Sequence, residues 1–114
     1  MTQGLKTIVY PVRDLEKAKA LYGSLLGAEP EMDEAYYVGF DVAGQHVGLN
    51  PHGHDQGMTT PVPYWHVPDI RAALEALTGA GAEARQPVTD VGGGKLTATA
   101  VDLDGNVIGL IQEP

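Results

Sequence analysis

The 114-residue chain contains no cysteine, so neither disulfide bonds nor thiol chemistry are available to it. It also lacks any run of about 18 apolar residues, and its first residues lack the basic start and apolar core of a signal peptide. Basic residues are scarce: seven Lys and Arg stand against fifteen Asp and Glu, and the net charge of −8 opposes binding to phosphate backbones. We therefore expect a cytoplasmic protein that binds neither nucleic acid nor membrane.

The two halves of the sequence resemble each other. Val-Arg-Asp-Leu at residues 12–15 matches Val-Pro-Asp-Ile at 67–70, and Gly-Ala-Glu occurs at both 27–29 and 81–83. Each half also ends in two apolar runs joined by a glycine turn, the later of them Asp-Leu-Asp-Gly-Asn at 102–106, and such turns are typical of β-hairpins. The chain therefore reads as a duplication within a single domain, residues 1–114.

Each half predicts the order β-α-β-β-β. A predicted strand precedes each of Asp14 and Asp69, which occupy the N-cap positions of two amphipathic helices, and Gly27 closes the first helix. An acidic stretch that begins at Glu29-Pro30 is expected to be irregular. The first module covers about residues 5–52, a turn-rich linker about 51–61, and the second module about 62–112. We expect an α+β fold in which two tandem βαβββ modules form curved mixed sheets around a concave cleft, with the helices on the outer faces.

The paired helix starts and the closing Asp-x-Asp-Gly-Asn hairpin resemble those of the vicinal oxygen chelate superfamily, which includes glyoxalase I, bleomycin-resistance proteins and extradiol dioxygenases. The resemblance covers residues 5–112. It implies paired modules, usually assembled as a homodimer with ligand pockets between modules. It leaves open whether the modules pair within one chain or swap between two chains, and it does not by itself fix the function.

The resemblance also implies where metal-dependent members carry their ligands. The four corresponding positions of this chain are Thr7, Gly48, Val62 and Gly109. A divalent ion needs at least three oxygen or nitrogen donors, and only the threonine offers one. We therefore predict that the shared metal site is absent and that the protein has no metal cofactor.

Side chains alternate between the two faces of a strand, which separates a helix-packed face from the concave face. The helix-packed face is apolar and includes Trp65. The concave face combines glycines, which leave space, and small apolar residues with five predicted ligand-binding side chains: Tyr37, His46, Asn50, Tyr64 and His66. Apolar walls with a few polar groups are typical of a small-molecule pocket. The alternative is that these side chains fill a closed core.

Three functions are compatible with this pattern. The favoured one is a metal-free small-molecule binding protein that resembles the bleomycin-resistance branch, confers antibiotic resistance and holds a hydrophobic or aromatic ligand. The second is a glyoxalase-like lyase or dioxygenase that uses displaced metal ligands (His46, His66 and a loop histidine such as His52 or His54) or metal-free acid–base chemistry at a histidine. The third is an interaction module with a closed cleft. No catalytic residue is assigned, because nothing in the sequence supplies a partner that would orient a histidine.

Overall fold

A computed structural model describes residues 2–114, which divide into two compact units. The first unit is Lys6–Val62, and the second is Pro63–Pro114 together with the residues up to Leu5. Most of β1 lies in the first unit and most of β5 in the second. The first unit contains β1 (Gly4–Pro11), α1 (Leu15–Leu26), β2 (Met32–Glu34), β3 (Tyr37–Val42), β4 (Gln45–Asn50) and a short 3-10 helix (His54–Gln56). The second contains β5 (Val62–His66), α2 (Ile70–Gly79), β6 (Glu83–Asp90), β7 (Leu96–Val101) and β8 (Val107–Gln112).

The two units have the same topology. In the first, the strand order is β2-β3-β4-β1, with β1 parallel to β4 and β3 antiparallel to both of its neighbours. In the second, the order β5-β8-β7-β6 repeats this arrangement, with β5 parallel to β8. The α+β class and the tandem βαβββ modules predicted from the sequence are confirmed.

Capping residues fix where the helices begin and end. The Asp14 carboxylate accepts a hydrogen bond from the backbone N–H of Lys17 at 3.1 Å, and Asp69 accepts one from Ala72 at 3.1 Å. Each bond satisfies one backbone donor that the first helical turn leaves without a partner. At the end of α1, Gly27 adopts φ 63°, a left-handed conformation that glycine reaches without a Cβ penalty.

Each unit packs its helix on one face of its sheet. Val38, Phe40 and Leu49 are fully buried in the first unit and contact α1 through residues such as Leu15 and Tyr22. In the second unit, the core consists of Val67, Ile70, Ala98 and Leu110, covered by the apolar side of α2. These cores lie on the sheet faces that strand alternation predicts for them.

Two details differ from the prediction. Trp65 lies on the helix-packed face as predicted, paired with Leu110, but it is 38% exposed, because α2 packs on Val67 and not on the residue two positions earlier. The acidic stretch expected to be irregular contains β2, which pairs Met32 with Gly39 and Glu34 with Tyr37. A three-residue edge strand is too short to show a hydrophobic period, so the sequence carries no signal for it. Within residues 2–114, no helix is long and apolar enough to cross a membrane.

Candidate functional site

The face of the first unit's sheet opposite α1 collects the polar side chains. Residues paired directly across neighbouring strands point to the same side of a sheet. The register pairs Thr7 with His46, His46 with Asp41, and Gly48 with both Val9 and Gly39. We call this side the polar face, and it comprises Thr7, Val9, Tyr37, Gly39, Asp41, His46, Gly48 and Asn50.

A chain of hydrogen bonds joins three side chains of this polar face. The Tyr37 hydroxyl lies 2.8 Å from Nε2 of His46, and Nδ1 of the same imidazole lies 2.7 Å from Oδ1 of Asp41. The tyrosine and histidine rings are nearly parallel, with 8° between their planes. The aspartate side chain is 56% exposed and the histidine side chain 27% exposed, so the chain of bonds runs from an exposed carboxylate to a partly buried imidazole and tyrosine.

Two glycines make room for this arrangement. A Cβ atom added at Gly48 would lie 1.9 Å from the Tyr37 hydroxyl oxygen, and one added at Gly39 would lie 2.6 Å from Cε1 of His46. Both distances are far below van der Waals contact, so no side chain fits at either position while the rings stay in place. The glycines that the sequence suggested would open space are therefore covered by Tyr37 and His46 themselves.

The hydrogen-bond chemistry of the three groups is directional. An ionised carboxylate can only accept, so Asp41 favours the imidazole tautomer that carries its hydrogen on Nδ1. Nε2 then offers a lone pair, and the Tyr37 hydroxyl donates to it. This order permits the tyrosine oxygen to take up a proton while its own proton moves to the histidine, where the carboxylate stabilises the resulting cation.

The residues at the family's metal-ligand positions do not fit a metal ion. In the first unit, Thr7 offers a hydroxyl, Val62 has no donor, and the space beside Gly48 is occupied by the Tyr37 hydroxyl. In the second unit, a Cβ at Gly109 would lie 2.6 Å from the Tyr64 ring and 2.7 Å from the carbonyl oxygen of Pro63. A carboxylate could be accommodated at Gly48 only if Tyr37 moved, and at Gly109 only if both Tyr64 and the backbone at Pro63 moved.

The displaced metal ligands that the sequence suggested do not form a metal site in the described part of the chain. Across residues 2–114, no three His, Asp or Glu side chains converge in a way that could hold an ion. Both ring nitrogens of His46 are already bonded to protein groups. Of the loop histidines, His52 is exposed, whereas Nδ1 of His54 is buried without a hydrogen-bond partner.

Asn50 lies on the polar face but is used by the following loop. Its side-chain oxygen accepts from the backbone N–H of His52 at 2.9 Å, and its amide nitrogen donates to Gln56 at 3.2 Å. These bonds fold the chain after β4 back on itself in an Asx turn. The structure therefore gives Asn50 a local structural role, and its predicted ligand contact stays a prediction.

The two remaining predicted residues belong to the second unit. Tyr64 pairs with Gly109 and His66 with Ile111, on the face opposite α2. Burial raises the pKa of Tyr64 above its ordinary value, because a phenolate would lose its hydration there. The backbone carbonyl of His66 accepts from the N–H of Gln3 at 2.7 Å. Their predicted ligand contacts also stay predictions.

Asp41 is the residue of the candidate site that the sequence interpretation missed. The signal was present, because the alternation that places Tyr37 and Gly39 on one face continues to residue 41. The two-residue turn at Ala43 and Gly44 pairs Asp41 directly with His46. A hairpin register read from the turn would have found the partner that orients the histidine.

The fold and the site define a protein of tandem βαβββ modules whose first unit carries a polar sheet face. Residues 4–110 match the glyoxalase/bleomycin resistance protein/dioxygenase superfamily, and the chain belongs to this superfamily. No curated protein sequence matches the chain.

Solved structures share the fold at low sequence identity. A superfamily member from Vibrio splendidus 12B01 has a TM-score of 0.73 at 14% identity, covering 96% of this chain and 100% of that one. Methylmalonyl-CoA epimerase from Mycobacterium tuberculosis has a TM-score of 0.71 at 16% identity, covering 99% and 89% of the two chains. The Mn(II)-bound glyoxalase from Novosphingobium aromaticivorans has a TM-score of 0.71 at 18% identity, and the match covers 97% of this chain but 39% of that one.

Proposed function

We propose that this protein is a metal-independent member of its superfamily that binds a small hydrophobic or aromatic molecule. The observation that carries the proposal is the Tyr37 hydroxyl beside Gly48, because it puts a polar recognition group where metal-dependent relatives place a ligand to the ion. Sequestration of an antibiotic, as in the bleomycin-resistance branch, is part of this proposal, as are a homodimeric assembly and a cytoplasmic location.

The composition of the polar face supports this function. The Tyr37 ring offers apolar surface, while the tyrosine hydroxyl and the imidazole of His46 offer directional polar groups. Binding by such a surface requires shape and hydrogen-bond complementarity but no acid, base or metal. The negative net charge disfavours anionic ligands, so we propose a neutral or cationic molecule.

Thermal melting tests this proposal. The protein is melted with a panel of neutral and cationic aromatic compounds, and separately with Mn²⁺, Ni²⁺, Zn²⁺ and Fe²⁺. A ligand at 100 times its Kd should stabilise the native state by about 2.7 kcal/mol, and the shift should shrink in Tyr37→Phe. Tyr36→Phe is the matched control, because the neighbouring tyrosine is 57% exposed and precedes β3. Stabilisation by a metal alone, or none by any compound, would contradict the proposal.

The hydrogen-bond chain favours a second candidate function, metal-free acid–base catalysis. Asp41 is the partner that orients His46, and the sequence interpretation had missed it. In this function, the Tyr37 oxygen takes a proton from a carbon next to a substrate carbonyl, while the tyrosine proton passes to Nε2 of the imidazole. The substrate keeps the electron pair as an enolate, and the reverse transfer returns a proton to the carbon.

Deuterium exchange distinguishes catalysis from binding. Carbonyl compounds with an acidic neighbouring C–H are incubated with the protein in D₂O, and loss of that C–H signal is followed by ¹H NMR. Catalysis predicts exchange above the buffer rate that Tyr37→Phe and His46→Gln abolish and Tyr36→Phe retains. Exchange at the buffer rate for every compound that binds would rule out this second function.

A further inference from the structure

We propose that residues 29–36, which include β2, form a strap that an ionic latch holds against α1 and that opens without unfolding the rest of the first unit. The latch is the contact between Lys19 of α1 and Asp33 of β2, and salt in the solvent weakens it. The inference goes beyond the proposed function, because it concerns the edge of the sheet beside α1 and needs no ligand on the polar face.

The latch is a bidentate contact between the helix and the edge strand. Nζ of Lys19 donates to Oδ1 of Asp33 at 3.2 Å and to Oδ2 at 3.1 Å, and it also lies 3.3 Å from Oε2 of Glu16 on the same helix. The hydrogen bond to Asp33, followed by the one to Glu16, raises the pKa of Lys19 above its ordinary value, so the amine stays charged. Both partners of the latch remain in contact with solvent, and dissolved salt therefore screens their attraction.

Little apolar packing holds the strap in place. All three residues of β2, Met32 to Glu34, are exposed. Within the described residues, the apolar core of the first unit includes no side chain from residues 29–36. A cavity of about 550 Å³ is lined by residues of α1 and of the strap, with Phe40 of β3. A segment with few buried apolar contacts belongs to the least stable part of a fold, so local opening at the strap is expected.

The other attachment of the strap is its short backbone ladder to β3. β2 pairs with β3 at three positions, and the N–H of Glu31 donates to the carbonyl oxygen of Gly39 at 2.8 Å. The corresponding edge strand of the second unit, β6, is eight residues long. A ladder of three pairs can open while the longer strands beside it stay paired.

The second unit makes the same contact between helix and edge strand with apolar side chains. Lys19 and Leu74 occupy equivalent positions, five residues after the N-caps at residues 14 and 69. Leu74 of α2 and Val88 of β6 both pack against the core of the second unit. Salt screens an ionic contact but not an apolar one, so the ionic contact makes the edge of the first unit sensitive to salt.

Amide hydrogen exchange of the full chain, followed by ¹H–¹⁵N NMR, measures the opening. The amide of Glu31 reports on the strap, and the amides of β6 are the internal reference for an edge strand without the latch. We expect a rise from about 20 mM to about 0.5 M NaCl to speed the exchange of Glu31 threefold to fivefold relative to β6, roughly the effect of losing an exposed ion-pair network. The amide of Leu49, on the interior strand β4, should exchange far more slowly at both salt concentrations.

Three variants test the latch itself. Lys19→Gln should speed the exchange of Glu31 about threefold to fivefold at low salt and abolish the response to salt. Lys17→Gln is the matched control, because it removes the same charge from the same helix at a lysine whose only ion pair, 3.9 Å from Asp14, is exposed, and it should behave like the unmodified chain. Lys19→Leu combined with Asp33→Val imitates the apolar contact of the second unit and should keep the strap closed at both salt concentrations.

Two kinds of result would overturn the inference. Exchange of Glu31 as slow as that of Leu49 would show that the strap opens only when the whole unit unfolds. A salt response that persists in Lys19→Gln, or that is absent from the unmodified chain, would show that the ion pair does not control the opening. Either result would leave small-molecule binding at the polar face unaffected.

Discussion

The close approach of Tyr37 to Gly48 leads to a specific prediction for Gly48→Ala. The added methyl would lie 1.9 Å from the hydroxyl oxygen and 2.6 Å from Cζ of the same ring. Ordinary contacts between heavy atoms begin at about 3.5 Å, so the ring has to move by roughly 1.5 Å. Because a tyrosine ring is rigid, this movement also breaks the 2.8 Å bond to His46.

The expected destabilisation follows from these two effects. Overpacking in a well-packed region costs about 1–3 kcal/mol, and a lost intramolecular hydrogen bond costs about 1 kcal/mol. Alanine restricts the unfolded chain more than glycine does, which offsets roughly 0.5–1 kcal/mol. We therefore expect Gly48→Ala to lower the free energy of unfolding by about 2–3 kcal/mol. For a chain of this length, that loss corresponds to a drop in Tm of roughly 10 °C.

Urea denaturation and thermal melting measure this loss, and two further variants test its cause. Gly79→Ala is the control, because a Cβ there meets nothing within 4 Å at the end of α2, and we expect no loss of stability. In a Tyr37→Ala background the obstructing ring is gone, so adding Gly48→Ala should cost almost nothing, and the double-mutant cycle should show a coupling of about 2 kcal/mol. A Gly48→Ala protein within about 0.5 kcal/mol of the unmodified chain would refute the reasoning, as would an equal cost in both backgrounds.

Two further predictions concern helix capping and pH. Asp69→Ala removes the acceptor for the N–H of Ala72 and should lower the free energy of unfolding by about 1 kcal/mol in urea denaturation, whereas Asp69→Asn should retain most of it. The side-chain hydrogen bond from Asn106, together with backbone N–H groups of the same turn, lowers the pKa of Asp102 below its ordinary value. A carboxyl group with a lowered pKa in the folded state stabilises the fold above its unfolded pKa and loses that contribution as the pH falls through the folded pKa. The Tm measured between pH 5 and pH 2 should therefore fall less steeply with decreasing pH for Asp102→Asn than for the unmodified chain. Identical slopes would show that this turn does not contribute to acid sensitivity.

The fold was predictable because its signals are local and occur twice. Asp14 and Asp69 each precede a helical pattern, and each half ends in a glycine turn between apolar runs. The prediction made for one half of the chain therefore agreed with the prediction made for the other. By contrast, β2 has three exposed residues and no hydrophobic period, and only its pairing with β3 defines it. The face of Trp65 was predicted correctly but its exposure was not, because alternation gives the face of a strand and not the length over which a helix covers that face.

The candidate site was predictable only in part. Alternation placed Tyr37 and His46 on one face, but the bond between them depends on side-chain reach across strands, which a linear sequence does not specify. Gly48 was interpreted from the sequence as the position of a missing metal ligand. That this glycine also leaves space for the Tyr37 ring is visible only in the three-dimensional structure. Ligand contact by the five predicted residues stays a prediction.

The contact between Gly48 and Tyr37 also limits how this protein could change. A carboxylate introduced at residue 48, as the first step toward a metal ligand, would collide with the tyrosine that already fills that space. Removing the tyrosine first would leave a cavity beside Gly48, and it would leave Nε2 of His46 without its hydrogen-bond partner. Either order passes through a less stable intermediate, so the two positions can be exchanged only together. Tyr37 thus occupies the space that a ligand side chain at residue 48 would need, and a single substitution cannot provide both the side chain and the space.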